Sequence, residues 1–359
     1  MWYRYMLALF LVFTMGTSVA RAQPADQAEI TTSVKFEALA PLSDVEQKAY
    51  ATIEADPPPK AITRNAHYIV SDEREHYLLR EQVKGIGGAY IGVGTNQNYE
   101  FIGWARSEIV FLLDFDQLIV DLHGAYEVAF LNAQTPKAFV EFWSPQNRSR
   151  FESLIEARFT ETSKRDAVLH AFKKSRHRTF SKLKTVRHRH RRRRVKSYLN
   201  TQAQYDYVSQ LWRVGRIFPV RGDLTATTTM RQIAERLGHH DRKLGLLYLS
   251  NCEQYFAELP PAYRANIIRL PTDERSLILR TRPWLEKLDR TGADKSMPRT
   301  CANCKTRGRL NYTYMYQTFG HFKAWVEHPN TDSVWRMISK RKTRIKNRAY
   351  HLQRLPKKR

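Results

Sequence analysis

The chain has 359 residues, 42% hydrophobic and 12% aromatic. That is enough apolar material for one large core or two smaller ones, and it excludes wholesale disorder. The formal net charge of +25 suits contact with polyanions, so its distribution along the chain matters.

Residues 1–22 read as a signal peptide. Arg4 supplies the positive end, Tyr5 to Phe13 the apolar run, and Ala20-Arg21-Ala22 a small-residue cleavage pattern. The run is short for a membrane span, though an uncleaved anchor is the alternative. No later stretch approaches the length of a span, so the mature chain is expected to be soluble, in a bacterial periplasm or secreted. Residues 23–60 form a leader ending in the stiff Asp56-Pro-Pro-Pro-Lys60.

Residues 61–330 carry the pattern of an α/β domain. Asp72 to Val83 has helical spacing, and Gly85-Ile-Gly-Gly88 breaks it before a strand at Ala89 to Val93. A helix is expected over Asn96 to Ala105. The near-continuous apolar run Glu108 to Asp114 predicts a strand buried on both faces. Gln117 to Ala133 places Leu118, Leu122, Ala125, Tyr126 and Ala129 on one helical face. Phe139 to Trp143 is a shorter helical piece, and Phe151 to Leu199 a helical insertion, about residues 150–200. A short strand over Arg216 to Val220 is weakened by Pro219. After it come a turn at Gly222-Asp223, a helix over Thr225 to Leu237 and a buried strand over Leu244 to Leu249. Ile267 to Leu270 and Ser276 to Arg280 read as late strands. The aromatic stretch Asn311 to Val326 either ends the sheet or forms a lid.

The basic charge lies in two blocks. Residues 173–196 hold 13 Lys/Arg and no acid, and residues 336–359 hold 11 and no acid. The rest of the chain is close to neutral. Such blocks stay solvated or disordered unless an anion neutralises them. They suit lipopolysaccharide, anionic lipid or nucleic acid, and residues 331–359 read as a basic C-terminal tail. The crowded arginines argue against a metal at His177, His188 and His190. For Cys301 and Cys304, in C-x-x-C spacing, a structural disulfide is favoured over half of a zinc site or a redox pair. Cys252 is left over and expected to be buried.

Ligands of an open parallel sheet bind beyond the carboxyl ends of its strands. Gly92-Val-Gly94-Thr-Asn96 follows the first strand, Asp114-Phe-Asp116 ends the second, Asp223 follows the third and Ser250-Asn-Cys-Glu253 ends the fourth. Glycine lets a backbone approach a ligand, and a carboxylate accepts bonds from ribose hydroxyls. Each also has a plain structural use, as a tight turn or a helix cap. Gln97 stands where G-x-G-x-x-G needs its last glycine, which argues against a dinucleotide enzyme. The absence of G-x-S-x-G argues against a hydrolase.

This order of strand ends resembles the class I S-adenosylmethionine-dependent methyltransferase fold. The segments from Gly87 to Tyr99, Leu113 to Gln117 and Tyr248 to Tyr255 resemble a family of uncharacterised bacterial proteins with such a domain. The resemblance implies a doubly wound, mostly parallel, Rossmann-like α/β fold and S-adenosylmethionine as the cofactor, with no metal. It places Gly92, Gly94 and Asn96 near the methionine moiety, Asp114 or Asp116 at the ribose, and Asp223 at the adenine. Ser250, Asn251 and Glu253 would then face the substrate, with Glu253 and Asn251 the candidates for catalysis. The competing expectation is a non-catalytic envelope protein that binds polyanions through its basic segments and an unknown small molecule in the crevice.

Overall fold

In the computed structural model, which describes residues 39–286, 309–339, 342–346 and 348–356, the centre of the fold is β1, Ala89–Val93, buried at all five positions. It pairs in parallel with β2, Ile109–Asp114, on one side and β4, Leu244–Tyr248, on the other. β3, Ile217–Arg221, lies outside β2, and β5, Thr272–Glu286, lies beside β4, both parallel. β6, Arg309–Thr318, runs antiparallel to β5. Beyond it come β8, Ala349–Leu352, and the outermost β7, Lys342–Lys346. The order is β3-β2-β1-β4-β5-β6-β8-β7. This is a doubly wound sheet, and the order reverses at β1, between β2 and β4. As β3 is the described edge, Pro219 within it needs no ladder bond on its outer side.

The apolar runs are continuous because the sheet is covered twice. Tyr90, Val110, Leu112, Leu246 and Tyr248 face one core, shared with the helices Asn98–Ala105, Gln117–Asn132 and Gln202–Arg213. Ala89, Ile91, Ile109, Phe111, Leu113, Leu244 and Leu247 face the other, shared with Thr229–His239, Pro261–Arg269 and Phe319–Glu327.

The segment expected as a helical insertion forms the helices Arg148–Arg158 and Thr162–Arg192. The second, 31 residues long, spans about 46 Å at the α-helical rise. Its buried stripe is Val168, Phe172, Ser175, Thr179, Leu183, Val186 and His190, three and four residues apart. The basic side chains of the block stand mostly on the other faces of an ordered, packed helix.

Three expectations change. Ile267 to Leu270 is the end of the helix Pro261–Arg269, started by a proline at its first position. A short apolar run looks alike in helix and strand. Asp72 to Val83 is helical only from His76 on, because the Tyr314 hydroxyl accepts the backbone N–H of both Arg74 and Glu75 (2.9 and 2.7 Å). The expected basic tail contributes the helix Val334–Ser339 and the strands β7 and β8. The expected signal peptide, Cys301 and Cys304 lie outside the described residues. Among those described, no helix is long and apolar enough to cross a membrane.

Gly245 marks where the segment before β1 crosses β4. A Cβ there would overlap the Gly87 carbonyl oxygen, and one on Gly88, at φ +65°, would lie 2.7 Å from the Lys243 carbonyl. Backbone cannot yield as a flexible side chain does. Gly245→Ala is expected to lower stability by about 1–3 kcal/mol, the usual range for overpacking. Urea denaturation checks it, and an unchanged midpoint would mean that the crossing is looser than the geometry says.

Candidate functional site

At the carboxyl ends of β1 to β4 the structure opens a cleft of about 370 Å³, within the usual range for small-molecule sites. Gly94, Asp114, Asp116, Asp223, Ser250 and Asn251 all line it. The expected crevice therefore exists and gathers most of the candidate residues.

The turn after β1 is held rigidly. Gly94 has φ +84°, a conformation that favours glycine. The Asn98 side-chain amide donates to the carbonyls of Val93, Gly94 and Thr95 at 3.0–3.2 Å. Burial drives the His123 imidazole down to a pKa of about 4, so it is neutral. Its Nε2 lies 2.9 Å from the Gly94 carbonyl, which can only accept, and its Nδ1 lies 2.8 Å from the Tyr99 hydroxyl. Nε2 therefore carries the proton. Gln97 lines the cleft and donates Nε2 to the Val93 carbonyl at 3.2 Å, while its buried Oε1 meets no partner among the described residues.

Three candidates have other roles. A Cβ on Gly92 would overlap Asn98 and Tyr90, so this glycine serves packing beneath the turn and does not line the cleft. Asn96 is fully buried behind it, and its Oδ1 accepts the Ser71 N–H at 3.3 Å. Glu253 is also buried away from the cleft. Its Oε2 accepts from Arg280 Nε at 2.7 Å, and its Oε1 from the Tyr263 hydroxyl at 2.7 Å. The 3-10 turn Cys252–Tyr255 carries its side chain under the sheet to Arg280 on β5. Glu253 is a structural counter-charge there, not a base facing substrate.

Asp114 points into the cleft. Burial pushes its carboxyl up to a pKa of about 7, the neighbouring Asp116 adds to that, and the Asp116 N–H donated to its Oδ1 (2.9 Å) opposes it. Asp116 divides its work: Oδ1 caps the helix Gln117–Asn132 by accepting the Leu118 N–H at 3.1 Å, and Oδ2 meets His67 Nδ1 at 2.7 Å. Asp223 Oδ1 accepts from the Thr225 N–H and hydroxyl (2.8 and 2.7 Å). Below it, buried Asp56 accepts the backbone N–H groups of Asp223, Thr228 and Thr229 at 3.0–3.2 Å and so fixes that loop. Cys252 also lines the cleft, but burial and the surrounding carboxylates hold its thiol protonated.

Sequence reasoning missed Glu73, which forms a buried wall of the cleft between the two faces of the sheet. It accepts from the hydroxyls of Tyr248, Thr281 and Ser250, the last at 2.7 Å, and pairs with His76 Nε2 at 2.5 Å. Burial alone would raise its pKa, but His76 and the hydroxyls hold the carboxyl well below the usual range. Conversely His76, beside both Glu73 and Glu100, is held above the ordinary imidazole value against its own burial. Lys182, from the helix Thr162–Arg192, donates to the backbone carbonyls of Ser71 and Glu73, and burial lowers its pKa to about 8. His190 of the same helix turns inward to the Ser197 hydroxyl at 2.9 Å.

The result is a polarised cleft. Asp72, Glu73, Asp114, Asp116 and Asp223 line it, and among the described residues no Lys or Arg does. In a chain of net charge +25 that is a sharp local reversal, and it favours a cationic ligand. Among the described residues no three His, Cys, Asp or Glu side chains converge as metal ligands do. The carboxylates are spread around the walls.

No curated protein matches the chain. Two solved structures of the rRNA methyltransferase AviRa from Streptomyces viridochromogenes are similar to it at 13% and 12% identity, with TM-scores of 0.25 and 0.24. Each alignment covers 67% of this chain and 82% of that one. The model of a family described as a domain of unknown function (DUF7790) matches residues 68–355, about four-fifths of the sequence, and the chain belongs to that family.

Proposed function

We propose that the cleft binds S-adenosylmethionine and that the domain is methyltransferase-like, passing a methyl group to an acceptor that enters beside Ser250, Tyr255 and Tyr312. The observation that carries this reading is the acidic lining without Lys or Arg among the described residues, at the switch point of a doubly wound sheet. When bound, the cofactor supplies an electrophilic methyl on a sulfonium, a cation whose charge the spread carboxylates match. The chain's own residues position it. Asp114 would accept from ribose hydroxyls at the end of β2, and Asp223 would accept from the adenine amine. Glu73, a fixed anion at neutral pH, supplies field and shape and moves no proton. Positioning and electrostatics are the main contributions a protein makes to such a displacement.

The same lining argues against ATP or NAD, whose phosphates would meet acidic side chains and, among the described residues, no Lys or Arg. Calorimetric titration of the full chain tests both halves. S-adenosylmethionine and S-adenosylhomocysteine should bind, and ATP and NAD should not. No heat from either sulfur nucleoside at millimolar concentration would overturn the proposal.

A further inference from the structure

A second cavity, also of about 370 Å³, lies between the end of the long basic helix and the sheet. Arg74, His188, Arg189, Arg192, Arg193 and Arg348 line it. The two basic blocks, far apart in sequence, thus meet at one place. Among the residues lining the cavity, five guanidiniums face a single carboxylate, Glu75, which lies 3.9 Å from both Arg193 and Arg348 and also accepts the Tyr77 hydroxyl at 3.2 Å. One carboxylate cannot neutralise Arg74, Arg189, Arg192 and Arg193 together, and planar guanidiniums bind phosphate oxygens in pairs. Burial and the neighbouring Arg74 both lower the pKa of Arg189, which fits a cluster short of anions.

Tyr312 lines both this basic cavity and the acidic cleft. The cleft rim also carries Tyr68 and Tyr255, aromatic side chains 40% and 43% exposed. A ligand reaching across Tyr312 would need an anionic group on one side and an uncharged planar ring on the other. We propose that the basic cavity holds a backbone phosphate of a single-stranded nucleic acid, with the adjoining base entering the cleft against the aromatic rim. Stacking on aromatic side chains beside a cationic groove is how such strands are held. An anionic lipid surface would use the arginines, but the acidic cleft beside the aromatic rim would repel it. The placement of the base rests on the methyl-transfer reading of the cleft; the phosphate pocket does not.

The test uses the full chain and a fluorescent single-stranded decamer of mixed sequence, followed by anisotropy, with inorganic pyrophosphate as competitor. The paired variant Arg189→Ala/Arg348→Ala is expected to weaken binding at least about tenfold, the usual effect of removing charge-assisted hydrogen bonds. The slope of log K against log salt should become shallower by about 0.7 for each phosphate that the variant no longer neutralises. Lys173→Ala/Lys174→Ala removes two exposed charges from the same helix, outside the cavity, and should change binding less than about twofold by that argument. Arg189→Lys/Arg348→Lys should recover part of the affinity, which excludes simple misfolding. Equal weakening in the arginine and lysine variants, or no decamer binding, overturns the proposal. So does Arg-dependent binding of phosphatidylglycerol vesicles without decamer binding. S-adenosylmethionine titrated into the same variants separates the two readings. Cofactor binding without strand binding sinks only the pocket, and strand binding without cofactor sinks only the cleft assignment.

Discussion

Replacing Glu73 by alanine is expected to cost about 3–5 kcal/mol of stability, the range for removing one partner of a buried ion pair. The substitution leaves His76 with only the more distant Glu100, at 3.6 Å, as counter-charge and deprives the hydroxyls of Tyr248, Ser250 and Thr281 of their shared acceptor. Urea denaturation measures it, and a destabilisation below about 1 kcal/mol, typical of a surface ion pair, would contradict the network. The pH dependence follows from two opposite shifts. The Glu73 carboxyl is depressed, so its contribution is present above the unfolded carboxylate value and is lost as pH falls through the native one, about 2. His76 is raised from 6.5 to about 8, so its contribution is complete below pH 6.5 and is lost as pH rises through about 8. The stability difference between the parent and His76→Gln should therefore be largest on the acid side of neutrality and shrink across that interval. A difference independent of pH would mean that His76 is neutral.

Asp114→Asn is expected to weaken S-adenosylhomocysteine binding about 10–100-fold at pH 8, the worth of a hydrogen bond to a charged acceptor. Because the carboxyl titrates near 7, the parent's affinity should climb between pH 6 and 8 as the acceptor ionises, and the asparagine variant should show a flat profile. Stability should move the other way. A group whose native pKa is raised binds its proton more tightly when folded, so its contribution is present at low pH and fades as pH rises from the unfolded value through about 7. Asp114→Asn should thus be relatively more stable than the parent at pH 8 and less so at pH 5. Calorimetry and thermal melts at the two pH values read both effects. Unchanged affinity together with unchanged pH dependence would remove Asp114 from the site.

The strands were legible where burial on both faces leaves a continuous apolar run, as in Ala89 to Val93, Glu108 to Asp114 and Leu244 to Leu249. The turn at Gly94 and the carboxylates after β2 and β3 were legible because a switch-point cleft takes its lining from strand ends. Glu73 was not. It lies in a loop, its partners Tyr248, Ser250 and Thr281 stand 175 to 208 residues away, and nothing in Ser71-Asp-Glu73 itself separates it from a helix start. Glu253 was misplaced by nearness in sequence to Ser250. The missed signal was Arg280, a full charge at the end of the apolar run Leu277-Ile-Leu279, which calls for a buried acid nearby. Sheer charge hid two further patterns. In the insertion it masked the stripe from Val168 to His190, and at the C-terminus it masked the strand pairing of Ala349–Leu352 with β6.

The wall of the cleft is built from segments far apart in the chain. Glu73 and the backbone of Arg74 and Glu75 precede β1, yet Thr281 of β5 and Tyr314 of β6 hold them. A chain emerging from the ribosome has made β1 to β4, with His76 and Tyr248 to meet Glu73, before Thr281 and Tyr314 exist. Closing so long a loop is entropically slow and is not rewarded until both ends are present. The half-made sheet can bury its apolar strands and offer Glu73 the Tyr248 hydroxyl, but it lacks the Thr281 and Tyr314 contacts that fix the wall. The Glu73 wall of the acidic cleft is therefore completed late in biosynthesis, once β5 and β6 fold back onto the segment before β1.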